Sequence, residues 1–417
     1  MNRDRRSVDL VIVSQVFYPD QQATGQLLAE LVSGIQQKHY RCEVLTAYPA
    51  NPVPGHVLSR ETWNGVAILR GGLAIAYRRN LFLRITGYAT FTLWLLKRLA
   101  FNVSKGSKVL VITNPPFAPI IAWLCSYIGG WKYYIAWQDV FPDGLVAIGK
   151  IRRGGIIDRF WRYLGRKSLL RAERVIPIGR DMNHLAANVY DVAPEKMRYI
   201  PNWGPFEMGY LKEPASSPLW TKLEYGEKFV VQYSGNMGIW HDIDTIVRAA
   251  EILKENKNVA FLMVGGGARR DDAFRLSKML CLESMTWLPA QDKHALESTL
   301  ACCSVAIISL RAGLEGVAVP SKIYGILASG RSIIAQVPAK SEIAQVIEEE
   351  GCGLVVPPGD ANRLADAIAL LESKRDLLRE QAARGRRAYE QKYTSKSAVD
   401  AYCQCLFGLT ERGDRSL

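Results

Sequence analysis

The residues best arranged for chemistry lie at 311–331, RAGLEGVAVPSKIYGILASGR, where Arg311, the acid Glu315, a proline-bounded turn and a Ser321-Lys322 pair lead into a helix of small residues. Such a row suits an anionic ligand. A helix opening near Ser321 would turn unpaired N–H groups and the positive end of its dipole toward a phosphate. Lys322 and Arg311 can add full charges and Ser321 a hydrogen bond. The same short pattern also reads as an ordinary strand-loop-helix with an N-cap serine and a solvated lysine, so the rest of the chain must decide.

The elements that position this row follow from periodicity. The apolar run VAIISL before it reads as a buried strand, which puts 311–331 at a strand's carboxyl end, where open α/β sheets bind ligands. Upstream, strand-like VDLVIVSQ, RCEVLTAY, VAILRG, KVLVITN, KYYIAWQD and RVIPIG alternate with helices expected at 26–38, 80–103, 117–128, 155–171 and 181–189. A proline-rich, linker-like passage runs from Pro201 through Pro205 and Pro214 to Pro218. The alternation then restarts at FVVQYSG and continues to GLVVP, with helices expected at 242–256, 270–280, 292–302, 322–329 and 341–350. Strands alternating with helices mean doubly wound parallel sheets, so the fold class is α/β with two Rossmann-like domains, at 1–203 and 204–393. Residues 394–417 hold a final helix. Its apolar face, with Val399, Tyr402, Cys403, Leu406 and Phe407, needs a surface to cover it, and a return to the first domain supplies one. Gly235, Gly238 and the Gly265-Gly266-Gly267 run follow apolar strands, either as turn residues or as places where backbone N–H groups approach a diphosphate.

Charge is unevenly placed. The chain of 417 residues carries a net +13, and residues 1–200 hold 27 Lys+Arg against 13 Asp+Glu while 201–417 hold 26 against 27. A basic first half points to a polyanionic partner, and its basic residues lie beside apolar stretches: Arg78, Arg79 and Arg84 before ITGYATFTLWLL, Lys97 and Arg98 after it. That placement favours an anionic membrane surface over nucleic acid, because the aromatics are not interleaved with Lys/Arg on a platform. The apolar run from Ile85 to Leu96 is too short to span a bilayer. It reads either as an interfacial helix, with Leu81, Phe91 and Trp94 on its apolar surface, or as a core helix. The eight cysteines show no CxxC pair or metal spacing and no secretory signal opens the chain, which fits a reducing cytoplasm and a peripheral position at the inner face of the plasma membrane.

Ordered motifs sharpen this reading: YPDQQATGQ at 18–26, WQDVFPD at 137–143, YIPNWG at 199–204, YSGNMG at 233–238, FLMVGGG at 261–267 and VPSKIYGILASGR at 319–331. Together they resemble glycosyltransferase family 4 of the GT-B fold, in particular its bacterial exopolysaccharide, colanic-acid-type fucosyltransferase-like branch. The resemblance implies two domains facing across a cleft, with a nucleotide-sugar donor on the second and an acceptor on the first. It implies donor contacts from Gly25, Gly235, Asn236, Gly238, Gly266, Gly267, Pro289 and Gly316, to which placement near the loop adds Arg311 and Ser321, and acceptor contacts from Tyr18, Thr24 and Gln138. Catalytic roles fall to Asp139, orienting the acceptor or acting as its base, to Glu315 at donor-sugar hydroxyls, and to Lys322 at the diphosphate. Two departures stand out. Gly325 occupies the place where many members carry a ribose-binding glutamate, and Ile239, Trp240 and His241 stand where cations are expected. Asp242-Ile-Asp244 spells a metal-binding DxD but falls at a helix start, where acids are favoured anyway.

The resemblance implies a metal-independent, retaining transferase with no cofactor, using a UDP- or GDP-sugar and a glycan acceptor on a polyprenyl diphosphate. The departures leave open a catalytically silent binding subunit with the same fold.

Overall fold

The computed structural model describes residues 8–20, 22–49, 57–73, 81–204, 214, 217–291 and 296–408. The chain divides into two units, Met1–Pro201 with Ser395–Leu417, and Asn202–Thr394.

The first unit runs β1 (Leu10–Val13), α1 (Ala23–Gln37), β2 (Cys42–Ala47), β3 (Arg60–Trp63), β4 (Val66–Gly71), α2 (Leu81–Phe101), β5 (Lys108–Ile112), α3 (Ala118–Gly129), β6 (Lys132–Trp137), α4 (Asp143–Ala147), α5 (Ile156–Arg171), β7 (Arg174–Pro177) and α6 (Arg180–Tyr190). Its sheet has the order β3-β4-β2-β1-β5-β6-β7. All pairs are parallel except β3 with β4. Helices on both faces explain why β1 and β5 are almost wholly apolar and buried. The antiparallel β3 escapes sequence reading because RETW, an exposed edge strand, has no apolar run. Strand order reverses between β1 and β5, and this opens a crevice at their carboxyl ends.

Helix α2 settles as a core helix on one face. Phe91, Leu95 and Leu99 are buried, and Trp94 crosses Gly71 so closely that a Cβ there would lie 1.8 Å from the indole. Phe91 therefore does not belong to an interfacial surface; the opposite stripe, Ile85, Leu93 and Phe101, is the exposed one. The side chains of Leu81 and Arg84, and Arg78 and Arg79 altogether, lie outside the described residues.

The second unit runs α7 (Pro218–Lys222), β8 (Phe229–Ser234), α8 (Ile243–Ile252), β9 (Val259–Val264), α9 (Arg270–Met279), β10 (Met285–Leu288), α10 (Leu296–Ala301), β11 (Val305–Ser309), α11 (Lys322–Ser329), β12 (Ser332–Gln336), α12 (Glu342–Glu350), β13 (Gly353–Val356), α13 (Ala361–Ser373) and α14 (Arg375–Lys392). Its parallel sheet has the order β10-β9-β8-β11-β12-β13, reversing between β8 and β11. A core of Phe229, Val231, Phe261, Met263, Ile307 and Leu364, among others, fixes the strands. The passage expected as linker starts α7 with a proline in its first turn; Pro205 lies outside the described residues. The charged segment 374–392 is helix α14, with exposed Arg379–Asp376 and Arg384–Glu380 pairs along it.

The last helix, α15 (Ser395–Phe407), packs on α1. Val399 sits over Gly34, where a Cβ would lie 2.5 Å from its methyl, and Phe407 stacks on Tyr40 with ring centroids 3.8 Å apart. The apolar face predicted for the terminal helix thus finds its cover in the first unit.

Candidate active site

In the second unit the reversal point joins the loops after β8 and β11. Arg311 N–H donates to the Trp240 carbonyl (2.9 Å), and Ser309 Oγ accepts from Asp242 N–H (2.8 Å). His241 Nδ1 lies 2.7 Å from the Ser309 carbonyl, an atom that can only accept, so Nδ1 carries the proton. Burial, then the nearby charge of Lys322, pushes the His241 pKa down to about 4. The imidazole is neutral at ordinary pH and cannot replace the cations expected at 239–241.

Lys322 opens α11 and turns inward. Its stem leaves the residue half-buried, but Nζ is sealed from solvent without a hydrogen-bond partner, 3.7 Å from the centroid of the Tyr233 ring. Burial pulls its pKa down to about 7. A side chain on Gly235 would meet this ammonium at 3.4 Å, so the glycine leaves room for the cation. Its own N–H is engaged with the Val264 carbonyl (2.9 Å), which corrects the expectation that it offers a donor. Gly265 and Gly267 serve loop packing in the same way: with positive φ, their Cβ atoms would lie 2.0 Å from the Gly235 oxygen and 2.5 Å from Asn236 Oδ1. A Cβ on Gly266 would meet nothing within 4 Å, though its carbonyl accepts from Met237 N–H (2.7 Å). Gly238 lies beside the Asn236 amide, 3.0 Å from a built Cβ. Ser321 stands at the N-cap of α11 but makes no side-chain cap, so the ordinary N-cap reading does not describe it. Arg311 and Glu315 are exposed on the loop from β11 to α11, where Gly316 has positive φ. Pro289 is exposed beyond β10, the edge strand, two strands from β8.

In the first unit the candidates gather at the carboxyl ends of β1, β5 and β6. Thr113 Oγ1 accepts from the N–H groups of both Gln138 (3.0 Å) and Asp139 (2.9 Å), which fixes the turn that presents them. Burial raises the Asp139 pKa to about 6. Asp139 lines a small cavity of about 30 Å³ with Thr113, Trp137, Phe141, Trp161 and Tyr190. Thr24 and Gly25 lie in the first turn of α1, at the positive end of its dipole. A Cβ on Gly25 would lie 3.0 Å from Val16 and 3.2 Å from the Asp20 oxygen, so glycine lets the helix start close to the β1 loop without a tight contact. Tyr18 is 40% exposed, stacked on Trp63 at 4.8 Å. The buried guanidinium of Arg70 holds its carbonyl at 2.7 Å and pairs with Glu61.

Residues 23–203 match the family described as glycosyl transferase 4-like domain, and residues 220–389 the family described as glycosyl transferases group 1. The chain belongs to the group 1 glycosyltransferases. The transferase is 27% identical over 411 residues to the probable glycosyltransferase WbjE of Pseudomonas aeruginosa, covering 95% of this chain and 97% of that one. It is 22% identical to the putative colanic acid biosynthesis glycosyl transferase WcaI of Escherichia coli K12, covering 88% and 94%. Among solved structures, sucrose-phosphate synthase of Thermosynechococcus elongatus superposes with a TM-score of 0.74 at 16% identity, covering 95% and 98%. Anabaena HepE in complex with UDP does so with 0.70 at 14%, covering 96% and 100%. The shared fold is GT-B.

The DxD of the transferase is occupied structurally. Asp242 Oδ2 accepts from Thr245 Oγ1 (2.8 Å), Gln336 Nε2 (2.8 Å) and Gly359 N–H (3.0 Å), while Asp244 pairs with Arg269. Sequence reading missed Tyr233, Ser309 and Gln336. The signal for two of them was a polar residue inside an apolar strand; Tyr233 carried none, since an aromatic there reads as core.

Proposed function

We propose that this chain is a retaining, metal-independent glycosyltransferase that moves a hexose or deoxyhexose from a UDP- or GDP-sugar to a polyprenyl-diphosphate-linked glycan in exopolysaccharide synthesis, working peripherally at the inner face of the plasma membrane. One observation carries the donor half: the unpartnered ammonium of Lys322, held at the carboxyl end of β8 where the strand order reverses. A buried cation with no anion is costly unless a ligand supplies one, and a diphosphate does. The N-terminus of α11 and Ser321 add donors beside it, and Arg311 a second charge on the neighbouring loop. Charge developing on the departing diphosphate would be stabilised there, and with the acceptor on the same face that diphosphate takes the acceptor's proton, leaving the anomeric configuration retained. Asp139, with its pKa near 6, orients the acceptor hydroxyl for that transfer, and Glu315 contacts donor-sugar hydroxyls. The role in polysaccharide synthesis is supported by the likeness to a putative colanic acid biosynthesis transferase, and the nucleotide class by the HepE complex with UDP. A panel of UDP- and GDP-sugars with membrane extract, followed by nucleotide release and product mass, tests the proposal. No nucleotide release from any donor would refute it.

The neutral His241 beside Lys322 favours a second reading, a silent GT-B subunit that binds without turnover. Product analysis separates the two: a silent subunit can bind UDP or GDP, as calorimetry would show, but forms no product.

A further inference from the structure

We propose that the face formed by α2, α3 and α5 docks on an anionic lipid bilayer, with the start of α5 as the point of entry. The proposal rests on the membrane part of the function above and leaves its chemistry aside. Single exposed apolar side chains are normal on any surface; a contiguous stripe is not. On α5, Ile156, Phe160 and Tyr163 fall at i, i+4 and i+7, one face of the helix, and Ile156 is 89% exposed, Phe160 62% and Tyr163 56%. Asp158, Ser168 and Leu169 face inward and are buried, so this helix is already anchored and its apolar outer stripe is surplus to the fold.

The stripe does not stop at α5. Arg171, at its end, lies over the ring of Tyr127 on α3, 3.9 Å from the centroid. Tyr127 and Ile128 are each 62% exposed, and α3 packs against α2, which exposes Ile85, Leu93 and Phe101. Three neighbouring helices thus each keep one face on the core and turn a second apolar face to solvent.

The charge around the stripe selects the occupant. Helices α2 and α3 contain no acid. Between residues 144 and 171 there are eight Lys+Arg and a single acid, Asp158, and that carboxylate is buried between Gly154 N–H (2.8 Å) and Arg162. Lys150, Arg152, Arg153 and Arg159 are exposed around the apolar tip. A protein partner burying this stripe would have to answer the cationic rim with acids of its own. An anionic leaflet does so everywhere, taking the apolar side chains into the headgroup boundary while the arginines reach phosphates.

Flotation with vesicles of phosphatidylglycerol and phosphatidylethanolamine, against phosphatidylcholine alone, tests this with the full chain. We expect binding to the anionic vesicles only, weakened by high salt, and reduced about tenfold or more in Ile156→Ser/Phe160→Ser and in Arg152→Glu/Arg153→Glu. Both variants should keep the wild-type calorimetric response to UDP and GDP, which shows that they fold and that a lost membrane contact is distinct from a lost donor site. Wild-type protein that ignores anionic vesicles, or variants that float as well as wild type, overturn the proposal. So does self-association that the apolar variant abolishes, which would assign the face to a second copy of the chain.

Discussion

Replacing Lys322 by methionine should stabilise the unliganded protein and weaken its nucleotide binding. The ammonium has no hydrogen-bond partner, and burial lowers its pKa from 10.5 to about 7. A base whose folded-state pKa lies below its unfolded value binds fewer protons folded than unfolded between the two, so stability rises with pH across that window and the full penalty applies below it. At about 1.4 kcal/mol per tenfold, ionisable Lys322 costs about 5 kcal/mol near pH 6, about 4 kcal/mol near pH 7 and about 2 kcal/mol near pH 9. Contact with the Tyr233 ring offsets part of this, so the figures are upper values. Methionine has similar length and no charge, and its thioether packs well on an aromatic ring. Urea unfolding of wild type and Lys322→Met at these three pH values should show a gain that shrinks as pH rises. Calorimetry near pH 7 should show UDP or GDP binding weakened about 10- to 100-fold by loss of one charge-assisted contact. In the wild type, affinity should fall as pH rises through about 7 and the amine loses its proton. A methionine variant no more stable than wild type at any pH, or a gain independent of pH, would show that Nζ is neither sealed nor unpaired.

Asp139→Asn should cut turnover while leaving nucleotide calorimetry intact. The wild-type kcat/KM should decline below about pH 6, where the carboxyl takes up its proton. Because that pKa is raised, the protonated form is the one the fold prefers, so the asparagine variant should be at least as stable as wild type near pH 7 in the same urea assay. Gly265→Ala should destabilise the protein by about 3 kcal/mol or more, since its Cβ would collide with the Gly235 carbonyl at positive φ. Gly266→Ala, with open space at its Cβ, should leave stability within about 1 kcal/mol, so any loss of nucleotide affinity there would mark a backbone contact. Asp242→Ala should cost about 2–4 kcal/mol, chiefly through the buried Thr245 and Gln336 donors it strands, whereas EDTA should leave turnover unchanged; turnover that requires added divalent metal would refute the structural reading of this acid.

The architecture was legible because it rests on periodicity. Apolar strands covered on both faces alternate with helices of one apolar stripe, and even α15's cover could be inferred from Val399 and Phe407. What periodicity cannot show is which of two apolar faces meets the core. Helix α2 carries both, so the sequence leaves it open between an interfacial and a core helix, whereas Phe91 is buried; on α5 the pattern alone does not show that Ile156 and Phe160 are exposed. Motif spacing located the loops of the candidate site but not their division of labour. Gly235 and Gly265 look like phosphate-approach glycines, yet their N–H groups are engaged with strand carbonyls and their missing side chains admit a lysine and a neighbouring loop.

The absence of cations at 239–241 and the inward turn of Lys322 are two sides of one arrangement. His241 is kept a neutral ring by burial, and the charge of Lys322 helps to keep it so, while the Ser309 carbonyl fixes which nitrogen bears the proton. A lysine or arginine at 241 would place a second positive charge beside an ammonium that already lacks an anion, in a setting of low dielectric where like charges repel strongly. With a neutral side chain at 241, the single cation can come instead from α11, across the strand from which Tyr233 offers its ring. On that argument His241→Lys does not restore a missing phosphate contact. It should lower the stability of the unliganded protein and leave Lys322 with a still lower pKa, and a variant that binds UDP or GDP more tightly with no loss of stability would refute the coupling.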